Sequence, residues 1–76
     1  MARYEVISNP SFTEIEAGDT IQVTTAWGRG KSVYGRVLGK EKDFMGDRNV
    51  VDYHIEGNKL DNWAYDYQIT KLIKEC

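Results

Sequence analysis

Residues 18–39 read Gly-Asp-Thr-Ile-Gln-Val-Thr-Thr-Ala-Trp-Gly-Arg-Gly-Lys-Ser-Val-Tyr-Gly-Arg-Val-Leu-Gly. The first half of this stretch alternates. Ile21 and Val23 project to one side, and Thr20, Gln22 and Thr24 to the other. Period two with β-branched residues predicts a half-buried strand over residues 20–26. Gly28 and Gly30 permit a tight loop, which carries Arg29 and Lys31. Residues 32–38 predict the returning strand, and Gly35 inside it predicts a bend or bulge.

The rest of the chain extends this β pattern. Residues 3–7 predict a first strand, broken at Asn9-Pro10-Ser11 because proline lacks the amide hydrogen that a ladder needs. Phe12 and Ile15 are expected to cover one end of the core, and Glu16-Ala17-Gly18-Asp19 reads as a turn. Glycine, aspartate and lysine over residues 39–47 predict another loop, with Phe44 and Met45 expected at its tip. Residues 48–56 alternate again, with Val51, Tyr53 and Ile55 inward and Val50, Asp52, His54 and Glu56 outward. Gly57-Asn58 is a turn signal, and residues 59–63 start the next strand. Residues 61–75 allow two readings. One is a helix capped by Asp61 with Tyr65, Ile69, Leu72 and Ile73 on one face. The other, preferred because it closes a sheet edge, is a short helical turn followed by a last strand.

The chain of 76 residues makes a single domain, 1–76, of mainly all-β class. A chain of this size buries only about 60% of its unfolded surface, which leaves little room for an enclosed catalytic pocket. Cys76 is the single cysteine, so no disulfide can form within the chain. No apolar run approaches the ~20 residues that span a bilayer. The start Met1-Ala2-Arg3-Tyr4-Glu5 lacks the order of a signal peptide. The expectation is a cytoplasmic protein with no membrane partner.

Net charge is −2, which gives weak overall attraction to nucleic acid. The charges are nevertheless segregated along the chain. Residues 29–42 hold Arg29, Lys31, Arg36, Lys40 and Lys42 against Glu41. Residues 43–66 hold Asp43, Asp47, Asp52, Glu56, Asp61 and Asp66 against Arg48 and Lys59.

Gly18-Asp19, Ile21 and Val23, the loop from Gly28 to Lys31, and Gly35-Arg36-Val37-Leu38 together resemble the KOW-like version of the SH3-like barrel. The ending Tyr67-Gln68-Ile69-Thr70-Lys71-Leu72-Ile73 is similar to the helical turn and closing strand of such barrels. The resemblance covers about half of the chain. It implies a five-stranded, strongly bent antiparallel barrel, and a role in binding proteins, RNA or the transcription and translation machinery rather than in catalysis. Architecture alone does not determine function.

Three groups are candidate sites. Trp27, Arg29 and Lys31, extended by Tyr34 and Arg36, offer cations beside aromatic rings. Such a set clamps a phosphate and a base, or an acidic protein surface; the plain alternative is a hairpin loop with solvated charges. Trp63, Tyr65 and Tyr67 would share one face of an extended segment and form a platform, or else fill a small core. Asp52, His54 and Glu56 alternate on one strand face. One histidine without cysteine is a poor zinc site, so the plain reading is a solvated polar face.

Nucleophile-elbow, P-loop, Cys-x-x-Cys and dinucleotide patterns do not occur in the sequence. The expectation is a non-enzymatic binding module without metal or small-molecule cofactor. It docks onto a larger protein through Trp27, Arg29, Lys31, Tyr34, Arg36, Trp63 and Tyr65. A compact acidic domain of this kind also resembles a phage-type accessory or inhibitor protein acting on nucleic-acid machinery. The alternative is direct RNA or DNA binding through the basic glycine loop at residues 27–42.

Overall fold

A computed structural model describes residues 3–43 and 46–75, and for Trp27 the backbone alone. The readings placed on the Trp27 side chain, on Phe44 and Met45, and on Cys76 lie outside the described residues. The fold is all-β. Six antiparallel strands, β1 (Tyr4–Ser8), β2 (Thr20–Thr24), β3 (Ser32–Lys42), β4 (Asn49–His54), β5 (Asn62–Tyr65) and β6 (Ile69–Glu75), form one sheet in the order β1-β6-β2-β3-β4-β5. Two single-turn 3-10 segments, Phe12–Glu14 and Asp66–Gln68, and one helical turn, Thr25–Gly28, join them.

The sheet is open and six-stranded, which corrects the expected five-stranded barrel. β6 pairs with β1 on one side and with β2 on the other. That leaves β6 no edge for β5, which pairs with β4. Among the described residues, β1 and β5 are the two edges.

Alternation builds the core. Ile21 and Val23 from β2, Val37 from β3, Val51 and Tyr53 from β4, Ala64 from β5, and Ile69 and Leu72 from β6 point to one side and are buried. Ile15 is fully buried in the same cluster, and Phe12 and Ile55 are among the partly buried residues packed against that cluster. The C-terminal segment takes the turn-and-strand form rather than the helix. Asp61 therefore caps nothing; its carboxylate pairs with His54 Nδ1 at 2.9 Å.

Two local departures from the sequence reading matter. β2 stops at Thr24, because Ala26 (φ 52°) and Gly28 (φ 89°) turn the backbone out of extension. The loop then closes on itself: Lys31 carbonyl accepts from both the amide and the hydroxyl of Thr25, at 3.0 and 2.9 Å. Gly35 is not the bulge. It lies in regular pairing opposite Ile21, and a Cβ there would come within 2.5 Å of the Tyr53 ring. Its missing side chain is the space that Tyr53 fills. The bulge lies three residues on, at Leu38, where the register against β4 shifts between Val37 and Gly39.

Two polar ties hold the ends of the sheet. Gln68 is buried; its Oε1 accepts from the Tyr65 amide at 3.0 Å and its Nε2 donates to the Thr24 carbonyl at 3.1 Å. Asp19 accepts from the Glu16 amide at 2.9 Å and from Lys74 Nζ at 2.7 Å, fastening β6 to the turn before β2. The hydrogen bond to Asp19 holds Lys74 above the ordinary lysine pKa. The charges of Asp19, Glu16 and Glu5 add to this and burial opposes it.

Two outcomes follow from this packing. Gly35→Ala is expected to destabilise the fold by about 1–3 kcal/mol, because the added methyl meets a ring that cannot move aside freely. Urea unfolding measures it, and an unchanged midpoint contradicts the close contact. Lys74→Met is expected to lower the melting temperature at neutral pH. Because the folded-state pKa is raised, the wild-type advantage is complete below the unfolded lysine value. It disappears as pH rises through the folded value. Thermal scans of both proteins from pH 7 into the alkaline range check the sign.

Candidate binding face

The outer side of β3, β4 and β5 carries the groups of interest. β4 turns Val50, Asp52 and His54 outward, opposite to its core residues Val51 and Tyr53. Register then sets their neighbours. Val50 stands between Glu41 and Tyr65, Asp52 between Gly39 and Trp63, and His54 beside Arg36.

The bulge at Leu38 decides the β3 side of this face. Without it, alternation from Val37 would send Glu41 toward the core. One extra residue reverses the parity, so Lys40 pairs opposite the inward Val51 and Glu41 opposite the outward Val50. Lys40 Nζ then donates to the Phe12 carbonyl at 3.1 Å and lies 4.9 Å from the Phe12 ring centre.

Glu41, Asp43, Val50, Asp52, Trp63 and Tyr65 line an open concavity of about 300 Å³. Val50 forms an apolar floor; it is 4% exposed yet lies outside the main core cluster. Trp63 is 54% exposed and meets Tyr65 edge-on, with ring centres 5.2 Å apart. Tyr67, 52% exposed, stacks on Tyr65 at 5.9 Å with planes 14° apart. The Arg48 guanidinium lies over the Tyr65 ring at 5.4 Å. The three rings are therefore brought together as a row, although Tyr67 comes from the 3-10 turn rather than from a continuing strand. Trp63 and Tyr67 do not fill the core.

The acidic wall holds a like-charge pair. The negative charge of Asp52 raises the Glu41 carboxyl above its ordinary value, and a hydrogen bond to Asp52 and slight burial act the same way.

The other expected site residues fall elsewhere. Tyr34 and Arg36 are exposed on β3 and line a second concavity, of about 370 Å³, with Thr20, Gly35, Leu38, His54 and Glu56. Arg29 and Lys31 are exposed in the β2–β3 loop. The helical turn of that loop packs beside the 3-10 turn that bears Tyr67. The Asp52, His54 and Glu56 set is divided. Asp52 faces Glu41, His54 pairs with Asp61, and Glu56 lies beyond the end of β4. Among the described residues, no group of three or more His, Cys, Asp or Glu is placed to hold a metal ion, and no helix is long and apolar enough to cross a membrane.

Sequence reasoning missed Glu41, Asp43, Val50 and Arg48 as site residues. Val50 and Asp52 carried a usable signal, the outward parity of β4. Glu41 carried none, because its side depends on the bulge. No family model, curated protein or solved structure matches the chain.

The acidic pair yields a stability outcome. A carboxyl whose folded-state pKa is raised opposes folding when ionised, and the penalty is relieved as pH falls through that value. Glu41→Gln is expected to raise the melting temperature at pH 7, by an increment that shrinks toward zero below the ordinary carboxylate range. Parallel thermal scans at pH 7 and at acid pH measure it; a Glu41→Gln variant less stable at pH 7 contradicts the repulsion.

Proposed function

We propose that the protein is a non-enzymatic binding module that docks onto a larger protein through the outer face of β3, β4 and β5. The observation that carries this reading is the row Trp63, Tyr65 and Tyr67, two of its rings half-exposed, mounted on a sheet and a short turn beside an apolar-floored hollow. Rigid aromatic side chains supply large contact area at small entropic cost, and Trp and Tyr dominate interface hot spots. The Glu41 and Asp52 pair at the same hollow disfavours phosphate there and favours a protein over a nucleic acid.

The SH3-like kinship belongs to the same proposal, as an open relative of that architecture. It is supported by the run β2-β3-β4-β5 of neighbouring strands, the 3-10 turn Asp66–Gln68 and the return of β6 beside β2. Partners of the nucleic-acid machinery, in the manner of a phage-type accessory protein, fit a face of this charge.

A second reading keeps the basic loop. Arg29 and Lys31 are exposed on a tightly closed loop whose helical turn neighbours the turn of Tyr67. Cations near an aromatic ring suit a single-stranded nucleic acid.

The test compares Trp63→Ala with Arg29→Ala/Lys31→Ala in affinity purification from the native cell, alongside gel shifts with single-stranded oligonucleotides at several salt concentrations. Trp63→Ala is expected to remove a specific protein partner while the protein stays folded, at a stability cost of about 1–2 kcal/mol from the lost half-buried ring and its contact with Tyr65. Unaltered recovery of the same partners by Trp63→Ala overturns the docking face. Salt-sensitive oligonucleotide binding lost in the loop variant establishes the second reading instead.

A further inference from the structure

We infer that the hollow between Trp63, Tyr65 and the Glu41–Asp52 pair receives an arginine or lysine side chain from a basic segment of the protein partner. The inference rests on the docking reading above and names the chemistry of its occupant. Three features of the hollow act together. Its floor is Val50, apolar and buried, which suits the aliphatic stem of a long cationic side chain. One wall is aromatic, and a ring of that wall already attracts a guanidinium, because Arg48 lies over Tyr65. The facing wall is anionic: Glu41 and Asp52 both line it, and the charge of Asp52 raises the Glu41 carboxyl above its ordinary value.

Charge complementarity selects the occupant. An anionic ligand would add a third negative charge to a pair that already repels itself. A neutral apolar ligand would bury carboxylates without compensation. A cation relieves the repulsion, gains contact with the half-exposed Trp63 ring and leaves its stem on Val50. Arginine has the advantage over lysine, since its planar fork matches carboxylate oxygens and stacks on aromatic faces. The approach is from solvent. β5 is an edge strand, Trp63 is half-exposed, and the hollow is open.

The experiment titrates the full chain with a short peptide alternating Arg and Ser at about 0.15 M salt, followed by amide and indole NMR shifts. The counterpart alternating Glu and Ser is the control. Saturable shifts are expected at the amides of Val50, Asp52, Trp63 and Tyr65 and at the Trp63 indole. Glu41→Gln/Asp52→Asn is expected to weaken the Arg peptide at least about tenfold, as loss of a desolvated charge partner does. Glu56→Gln/Glu75→Gln removes equal charge elsewhere and is expected to change affinity by less than about twofold. Equal weakening by both double variants, shifts centred elsewhere, or binding of the Glu peptide at this hollow overturns the inference. Should Asp52→Asn perturb the sheet, Glu41→Lys alone carries the test, with loss of Arg-peptide binding expected. The two readings fail separately. A partner lost in Trp63→Ala but retained in Glu41→Gln/Asp52→Asn leaves the docking module standing and removes the cationic occupant.

Discussion

The extra residue at Leu38 is the constraint on which the outer face depends. A strand sends successive side chains to opposite sides, so a single inserted residue exchanges the two faces for everything beyond it. Before the bulge, Val37 faces Tyr53 and the core. After it, Lys40 turns toward Phe12 and Glu41 turns toward Val50 and Asp52. One irregularity thus closes an end of the core with a lysine over a ring and places a carboxylate in the hollow. The same device recurs where β6 passes β2: the shift between Gln22 and Val23 leaves Thr70 to bond the Gln22 carbonyl and side chain.

A small chain has to secure its sheet with few residues. The inner face supplies most of the apolar burial, and the polar ties at Asp19 and Gln68 prevent the ends from fraying. Each tie serves two elements at once. Gln68 satisfies the Tyr65 amide at the entrance to its own turn and reaches across to the end of β2. It therefore sets the position of the turn that carries Tyr67. Tyr65 and Tyr67 flank the turn that this buried amide ties down, so a core polar group and two rings of the surface row share one short segment.

Much of the fold was legible because alternation is a local signal. The inward and outward sets of β2 and β4 follow from residues 20–24 and 50–55, and the turns at Gly18 and Gly57 fall where glycine stands. Register was not legible, because it depends on which strand is paired and where a residue is skipped. Gly35 drew attention as a bend since glycine interrupts a strand; its actual purpose, admitting Tyr53, is a tertiary contact invisible to a single segment. Six strand segments were legible along the chain, residues 3–7 among them; the count of five came with the barrel resemblance, and the pairing of β1 with β6 in an open sheet replaces it. Antiparallel pairing of β3 with β4 also lays the basic run against the acidic one, so their separation along the chain does not become two opposed faces. Trp63 and Tyr65 were legible as a pair, because strand spacing sufficed to put them on one side.

The outer face combines features that work against stability in isolation. Half-exposed Trp63 and Tyr67 forgo part of the burial that a chain of 76 residues can obtain, and Glu41 and Asp52 repel each other at neutral pH. A locally consistent sequence would place a cation opposite one of them. Departures of this kind concentrate at functional sites. Here Trp63 and the acidic pair line one hollow, and a single ligand chemistry answers both. A cation with an apolar stem covers Val50 and Trp63 while neutralising the acidic pair, whereas neither an anion nor a purely apolar group does both.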